Sequence, residues 1–136
     1  FQYGNLFLME KNYDKALLKY NKIIEIKANF WQAINNKGLI YFEQDEILLA
    51  IDNFTKAIEI EKNAESILAL GISLKNSNRE KSLLLVKEAL QKNPNYVSFE
   101  FREKQLWGPK LQKATEDLFK IEELSKDIAI ANLYKN

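Results

Sequence analysis

The sequence predicts an all-α chain: an α-α solenoid of three helix-turn-helix units with a C-terminal helical cap. Three observations predict it. "YNKIIEI" at residues 20–26 returns thirty-four residues on as "FTKAIEI" at 54–60. Glycines recur in step at Gly4, Gly38 and Gly71. Within each copy the apolar residues fall at helical spacing, not at the alternation a strand would need.

The repeat is best taken element by element. A shift of 34 places Gly4 on Gly38, Phe7 on Tyr41, Ala16 on Ala50, Tyr20 on Phe54 and Lys22 on Lys56. A third copy follows after a shorter turn, with Gly71 answering Gly38, Ala89 answering Ala57, and Pro94 closing the unit. In the second copy Ala33, Ile34 and Tyr41 mark one helix. Ala50, Phe54, Ala57 and Ile58 mark the next, and "EQDE" makes the polar turn between them. Gly and Ala sit where two helices must approach closely, and Tyr20 and Phe54 fill the space beside them. Neither helix of a pair can bury its face alone, so the copies must stack.

Beyond Pro94 the phase fades. "YVSFEFREKQLW" at 96–107 reads as a further first helix, and "GP" at 108–109 breaks it, with Pro109 placed to open the next helix. Residues 110–121 supply its partner through Leu111, Ala114, Leu118 and Phe119. Ser125 is expected to cap a last helix that packs through Ile128, Leu133 and Tyr134. The chain is therefore expected to be one domain, 1–136, with repeats at 1–30 (the first helix cut short), 31–63 and 64–95, and a degenerate repeat with capping helices at 96–136.

Composition narrows the chemistry. The formal net charge is +1, with 20 basic residues against 19 acidic, so no global field draws nucleic acid or membrane. Eighteen of the basic residues are Lys and two are Arg, which argues against nucleic-acid binding, where Arg makes the bidentate contacts. The chain has neither Cys nor His. That removes thiolate nucleophiles, the commonest general base and the commonest metal ligand. The pairs Asp45/Glu46 and Glu122/Glu123 read as solvated acids in turns or at helix ends. Four isolated glycines make no phosphate loop. No catalysis, metal, cofactor or small-molecule substrate is expected. Asn53-Phe54-Thr55 matches a glycosylation sequon, but Phe54 is expected in the core. No apolar run is long enough to cross a bilayer. The expected location is the cytoplasm or a membrane surface. Because the chain opens at Phe1 and not at Met, a preceding segment, with room for an anchor, is expected.

Ile34, Gly38, Tyr41, Ala50-x3-Phe54 and Ala57 follow the signature of the tetratricopeptide repeat (TPR), which the chain resembles over residues 1–96. The first copy keeps Gly4, Phe7 and Ala16-x3-Tyr20. The third keeps Gly71, Leu74, Val86, Ala89 and Pro94. Lys37 in a usually apolar slot, and Ser82 in place of Ala, depart from the pattern. The resemblance implies a right-handed superhelix whose first helices line a hollow, and a protein-binding role as scaffold, adaptor or assembly factor. The slots facing that hollow are then Phe1, Asn5, Leu8 and Met9; Gln32, Asn35, Asn36, Leu39, Phe42 and Glu43; and Glu65, Leu68, Ala69, Ile72 and Asn76. A family carboxylate clamp for acidic chaperone tails needs two Asn and three basic residues. Asn5 and Asn36 fit, but Phe1, Glu65 and Ala69 stand in the basic slots, so a chaperone tail is not the expected ligand. What the slots offer is an apolar strip, Leu8, Met9, Leu39, Phe42, Leu68 and Ile72, beside an amide ridge, Asn5, Gln32, Asn35 and Asn36. An amphipathic helix or peptide of a partner suits such a groove, with Phe42 as anchor. The alternative is a structural or self-associating module whose groove holds its own C-terminal helix or a second copy. Lys11, Lys15, Lys19 and Lys22 share one helix face, expected as a solvated outer surface. Trp107 is expected to plug the cap, and Trp31 to pack between repeats or anchor a partner.

Overall fold

The computed structural model describes residues 1–136 and is all-α, with nine α-helices and no strand. Three helix pairs come first: α1 (Gln2–Met9) with α2 (Tyr13–Ile26), α3 (Trp31–Glu43) with α4 (Ile47–Ile60), and α5 (Ala64–Ser73) with α6 (Arg79–Lys92). Each pair packs on the next, through α2 on α3 and α4 on α5. A 3-10 turn (Pro94–Val97), α7 (Phe99–Lys104), α8 (Pro109–Phe119), a second 3-10 turn (Glu122–Leu124) and α9 (Ser125–Tyr134) follow.

The first two glycines have the same surroundings. A Cβ on Gly4 would stand 2.6 Å from Cε1 of Tyr20, and one on Gly38 would stand 2.5 Å from Cε1 of Phe54. An aromatic ring of the partner helix occupies the place of a side chain there, so any side chain would force the pair apart. Gly71 is less tightly held: its nearest neighbours are Ser82 O, Leu85 and Val86, each at 3.2 Å. Ser82, the departure from Ala, uses its hydroxyl to donate to Gly71 O at 2.6 Å, which ties α6 to α5.

Local signals place the helix ends. Asn12, Asn63, Asn78 and Ser98 each accept a hydrogen bond from a first-turn N–H of α2, α5, α6 and α7. Helices α1, α3 and α7 close in the same way. The residue after the cap takes a left-handed φ, at Lys11 (59°), Asp45 (63°) and Leu106 (71°). The paired bonds are Lys11 N to Leu8 O with Asn12 N to Phe7 O, and their counterparts at Asp45/Glu46 and Leu106/Trp107. These are Schellman turns with a side chain where glycine is usual.

The cap departs from expectation in three respects. The stretch 96–107 is not one helix, because Ser98 caps a new start and leaves α7 only six residues. Ser125 is the first residue of α9 and makes no side-chain cap. Leu133 and Tyr134 lie exposed, while Ala131 is the buried contact of α9. Trp107 is 4% exposed, as a plug should be, and Asn53 is buried on α4 with its amide donating to Leu49 O. No helix is long and apolar enough to cross a membrane.

Candidate functional site

Helices α1, α3 and α5, the first of each pair, stand in unlike surroundings. Over α3 and α5 lies α8. Its first turn is received by Glu43, whose two carboxylate oxygens accept from the N–H groups of Lys110 and Leu111, each at 3.0 Å. Those are orphan donors at a helix start, so a carboxylate is the natural acceptor. Gly108 makes this possible, since a Cβ there would overlap the Glu43 side chain. Lys110 Nζ adds an ion pair to Asp45 at 2.6 Å.

Deeper in, Glu65 holds the corner before α8. Its Oε2 accepts from Trp107 Nε1 at 3.1 Å and from Asn35 Nδ2 at 2.8 Å. Burial pushes the Glu65 carboxyl up to about 7, against the lowering effect of hydrogen bonds from Asn35, Trp107 and Tyr96. The amides continue the chain of bonds: Asn35 donates to Asn36, and Asn36 donates to Asn5 at 3.0 Å. Tyr20 donates its hydroxyl to the same Asn5 oxygen, and Ser66 donates to Asn35 Oδ1. Burial lifts the Tyr20 hydroxyl to about 12, so it stays a donor. No buried side-chain polar atom is left without a partner.

Arg102 fixes α7 to α8. Its side chain is fully buried, and its guanidinium donates to Gln112 Oε1 (2.8 Å), Tyr96 O (2.7 Å) and Glu116 Oε1 (2.9 Å). Its remaining face lies over the ring of Phe119.

Two clefts remain around the corner between α7 and α8. The first, about 390 Å³, lies between α1, α3 and the α7–α8 corner. Leu8, Met9, Leu39, Phe99, Leu106 and Trp107 give it apolar walls, and Lys11, Glu43, Glu103 and Gln112 give it polar ones. The second, about 320 Å³, is the amide side: Asn5, Gln32, Asn35, Asn36 and Glu65, with Trp31, Tyr96 and Leu106. Leu106 lines both.

The ten residues expected in the groove therefore divide. Leu8, Met9 and Leu39 meet in the first cleft, and Asn5, Gln32, Asn35 and Asn36 in the second. Phe42, Leu68 and Ile72 meet in neither. They are core residues, so the continuous exposed strip expected from the sequence is absent and Phe42 offers no surface for an anchor. Their side chains join the common core, and α8 packs on α3 and α5, the helices that carry them. Of the apolar six, only Met9 is exposed. Sequence reasoning missed Phe99, Leu106 and Arg102.

No three acidic side chains come together as a metal site would need. Comparison with protein-family models and with curated proteins finds no match.

Proposed function

We propose that the chain is a TPR-like helical-repeat module that binds another protein, and that the partner's apolar side chains enter the first cleft. The observation that carries this reading is the cleft itself. It is a concavity of about 390 Å³ with mostly apolar walls, open beside an exposed Met9 and Phe99. That volume is small for a whole helix and suits two or three side chains of a peptide or helix laid across the mouth. The second cleft supplies amides, most already bonded to one another, so it contributes hydrogen bonds and little affinity.

Affinity capture from native lysate tests this, using the wild-type chain beside Met9→Glu and Phe99→Glu. Both positions are exposed, so the variants keep the fold, and each puts a carboxylate at the cleft mouth. Specific partners are expected to drop at least tenfold in both. Equal recovery of the same partners would remove the cleft from consideration.

The seat of α8 favours a second reading, a structural module whose hollow is filled by its own chain. In that reading the occupant is α8 and not the terminal helix α9, which packs on α6. Capture that returns no specific partner from the wild-type chain would leave this second reading standing.

A further inference from the structure

Beside its amides, the second cleft holds a carboxylate with no counter-charge. Glu65 is half-buried at the start of α5 and lines that cleft. Its hydrogen-bond donors are the Asn35 amide, the Trp107 indole and the Tyr96 hydroxyl, all neutral. None of the six ion pairs in the molecule includes it. A carboxylate withdrawn from water without a cation is costly to ionise, and an incoming cation offsets that cost.

The other residues of the wall say which cation fits. Gln32 and Gln105 bring amide oxygens, and Trp31 and Tyr96 bring aromatic rings. A planar guanidinium uses both, forking onto oxygens through its edge and stacking on a ring through its face. These residues and Glu65 lie on α3, on α5 and in the cap, so the recognition does not draw on α1. No arginine of the chain can fill the place. Arg79 pairs with Glu123, and Arg102 is buried among Gln112, Glu116 and the Tyr96 carbonyl. A second copy would bring only the same two committed side chains.

We propose that the second cleft takes the guanidinium of an arginine in the partner protein, paired with the Glu65 carboxylate. This deepens the reading of a protein partner and rests on it for the source of the arginine. Leu106 lines both clefts, so a partner segment crossing it can put an apolar side chain on one side and the arginine on the other. The pairing needs an ionised carboxylate. Glu65 lies at about 7, so its ionised fraction rises about tenfold between pH 6 and pH 8. The other titratable groups that face it are Tyr20 of α2 and Tyr96, both raised by burial, with Lys104 of α7 and the Phe1 ammonium in the same cleft wall.

N-acetyl-arginine amide is the probe, since it carries the side chain without a carboxylate or an apolar neighbour. Titrated to about 20 mM at pH 8, it is expected to shift the Trp107 indole and Asn35 side-chain amide signals in two-dimensional NMR, with Kd on the order of 1 mM. Binding is expected to weaken about tenfold at pH 6. N-acetyl-citrulline amide, the neutral isostere, is expected to bind at least tenfold more weakly than the arginine probe, and N-acetyl-lysine amide about threefold more weakly. Glu65→Gln keeps the side-chain shape and is expected to lose both the binding and its pH dependence. Glu61→Gln, at an exposed acid after α4, is expected to bind as the wild type does. Lys104→Gln removes a competing cation and is expected to tighten binding. No shift at the highest concentration, a citrulline or lysine probe that binds as tightly as arginine, binding that survives Glu65→Gln, or binding weakened by Lys104→Gln would each overturn the proposal. A failed titration leaves capture at the first cleft standing, and failed capture beside a saturable titration strikes the first-cleft reading alone.

Discussion

Helices α1 and α3 occupy equivalent places in the repeat and end in different surroundings. On the α5 side, Glu65, Trp107 and α8 make a hydrogen-bonded corner, with Trp107 buried. On the α1 side, Met9 stands where Glu43 stands one repeat later, and no helix is received. Met9 is thus the register counterpart of Glu43, and α1 lacks the carboxylate that receives α8 on α3. A carboxylate at that slot accepts the backbone of an incoming helix, while a thioether offers it nothing to bond.

Trp107→Ala should break the closed half. It removes a side chain that is 4% exposed and leaves Glu65 without one of its donors. A loss of about 3–5 kcal/mol is expected, read by urea denaturation, with hydrogen exchange in α8 rising first. Phe99→Ala, at the mouth of the open half and 40% exposed, should cost less than about 1 kcal/mol. Equal losses would mean that the two halves are equally packed.

Glu65 gives the closed half a pH dependence near neutrality. Its folded carboxyl lies at about 7, above an ordinary 4.5. A raised folded value means the group's contribution is whole below about pH 4.5 and is lost as the pH rises through 7. The shift corresponds to about 3 kcal/mol between the two limits. Glu65→Gln cannot ionise, so the variant should gain on the wild type by that order between pH 4.5 and 8, measured as the difference between their denaturation midpoints. A constant difference across that range would show that the carboxylate is not buried at the corner.

Much of this architecture was legible in the sequence, and the reasons for what was not are specific. The helix pairs were legible because Gly4 and Gly38 answer Tyr20 and Phe54 at one interval, and that pairing is a contact of the fold. Pro109 announced α8 because it sits at a first helical position. The covering of α3 and α5 was not legible, because no periodicity links residues 107–119 to Glu43 or Glu65. Those contacts join segments more than forty residues apart. A sequence can show that Leu39, Phe42 and Leu68 share a face, but not that the same chain returns to cover it. One signal was available and unused. Arg102 is one of two arginines among eighteen lysines, and a chain that otherwise uses lysine throughout spends a guanidinium fork where three acceptors must be met.

The seat of α8 on the wall can be weakened without emptying the core. Glu43→Gln keeps the side-chain shape but sets an amide N–H₂ against one of the two backbone donors of Lys110 and Leu111. A loss of about 1–2 kcal/mol is expected, with amide exchange at those two residues rising more than in α4. The reciprocal change, Met9→Glu, should leave stability within about 0.5 kcal/mol, because an exposed carboxylate there has no helix start to receive. If Glu43→Gln proved silent, the difference between the halves would have to come from packing alone.

A small effect of the opposite sign is expected at the turns that end α1 and α7. Lys11 and Leu106 both hold a left-handed φ, at 59° and 71°, in the same hydrogen-bonded turn, one at the open side and one at the closed corner. An L-residue pays to stay there and glycine does not. Lys11 is exposed, so Lys11→Gly gives up almost no contact and should stabilise the fold by about 0.5–1 kcal/mol. Leu106 is half-buried and lines both clefts, so Leu106→Gly gains the same backbone relief and loses a packed side chain. The two losses and gains should nearly cancel, or turn destabilising, by thermal denaturation. A clear gain at Leu106 would mean that its side chain packs no better than that of Lys11. The corner would then be as open as the α1 side, and the contrast between the two halves would rest on α8 alone.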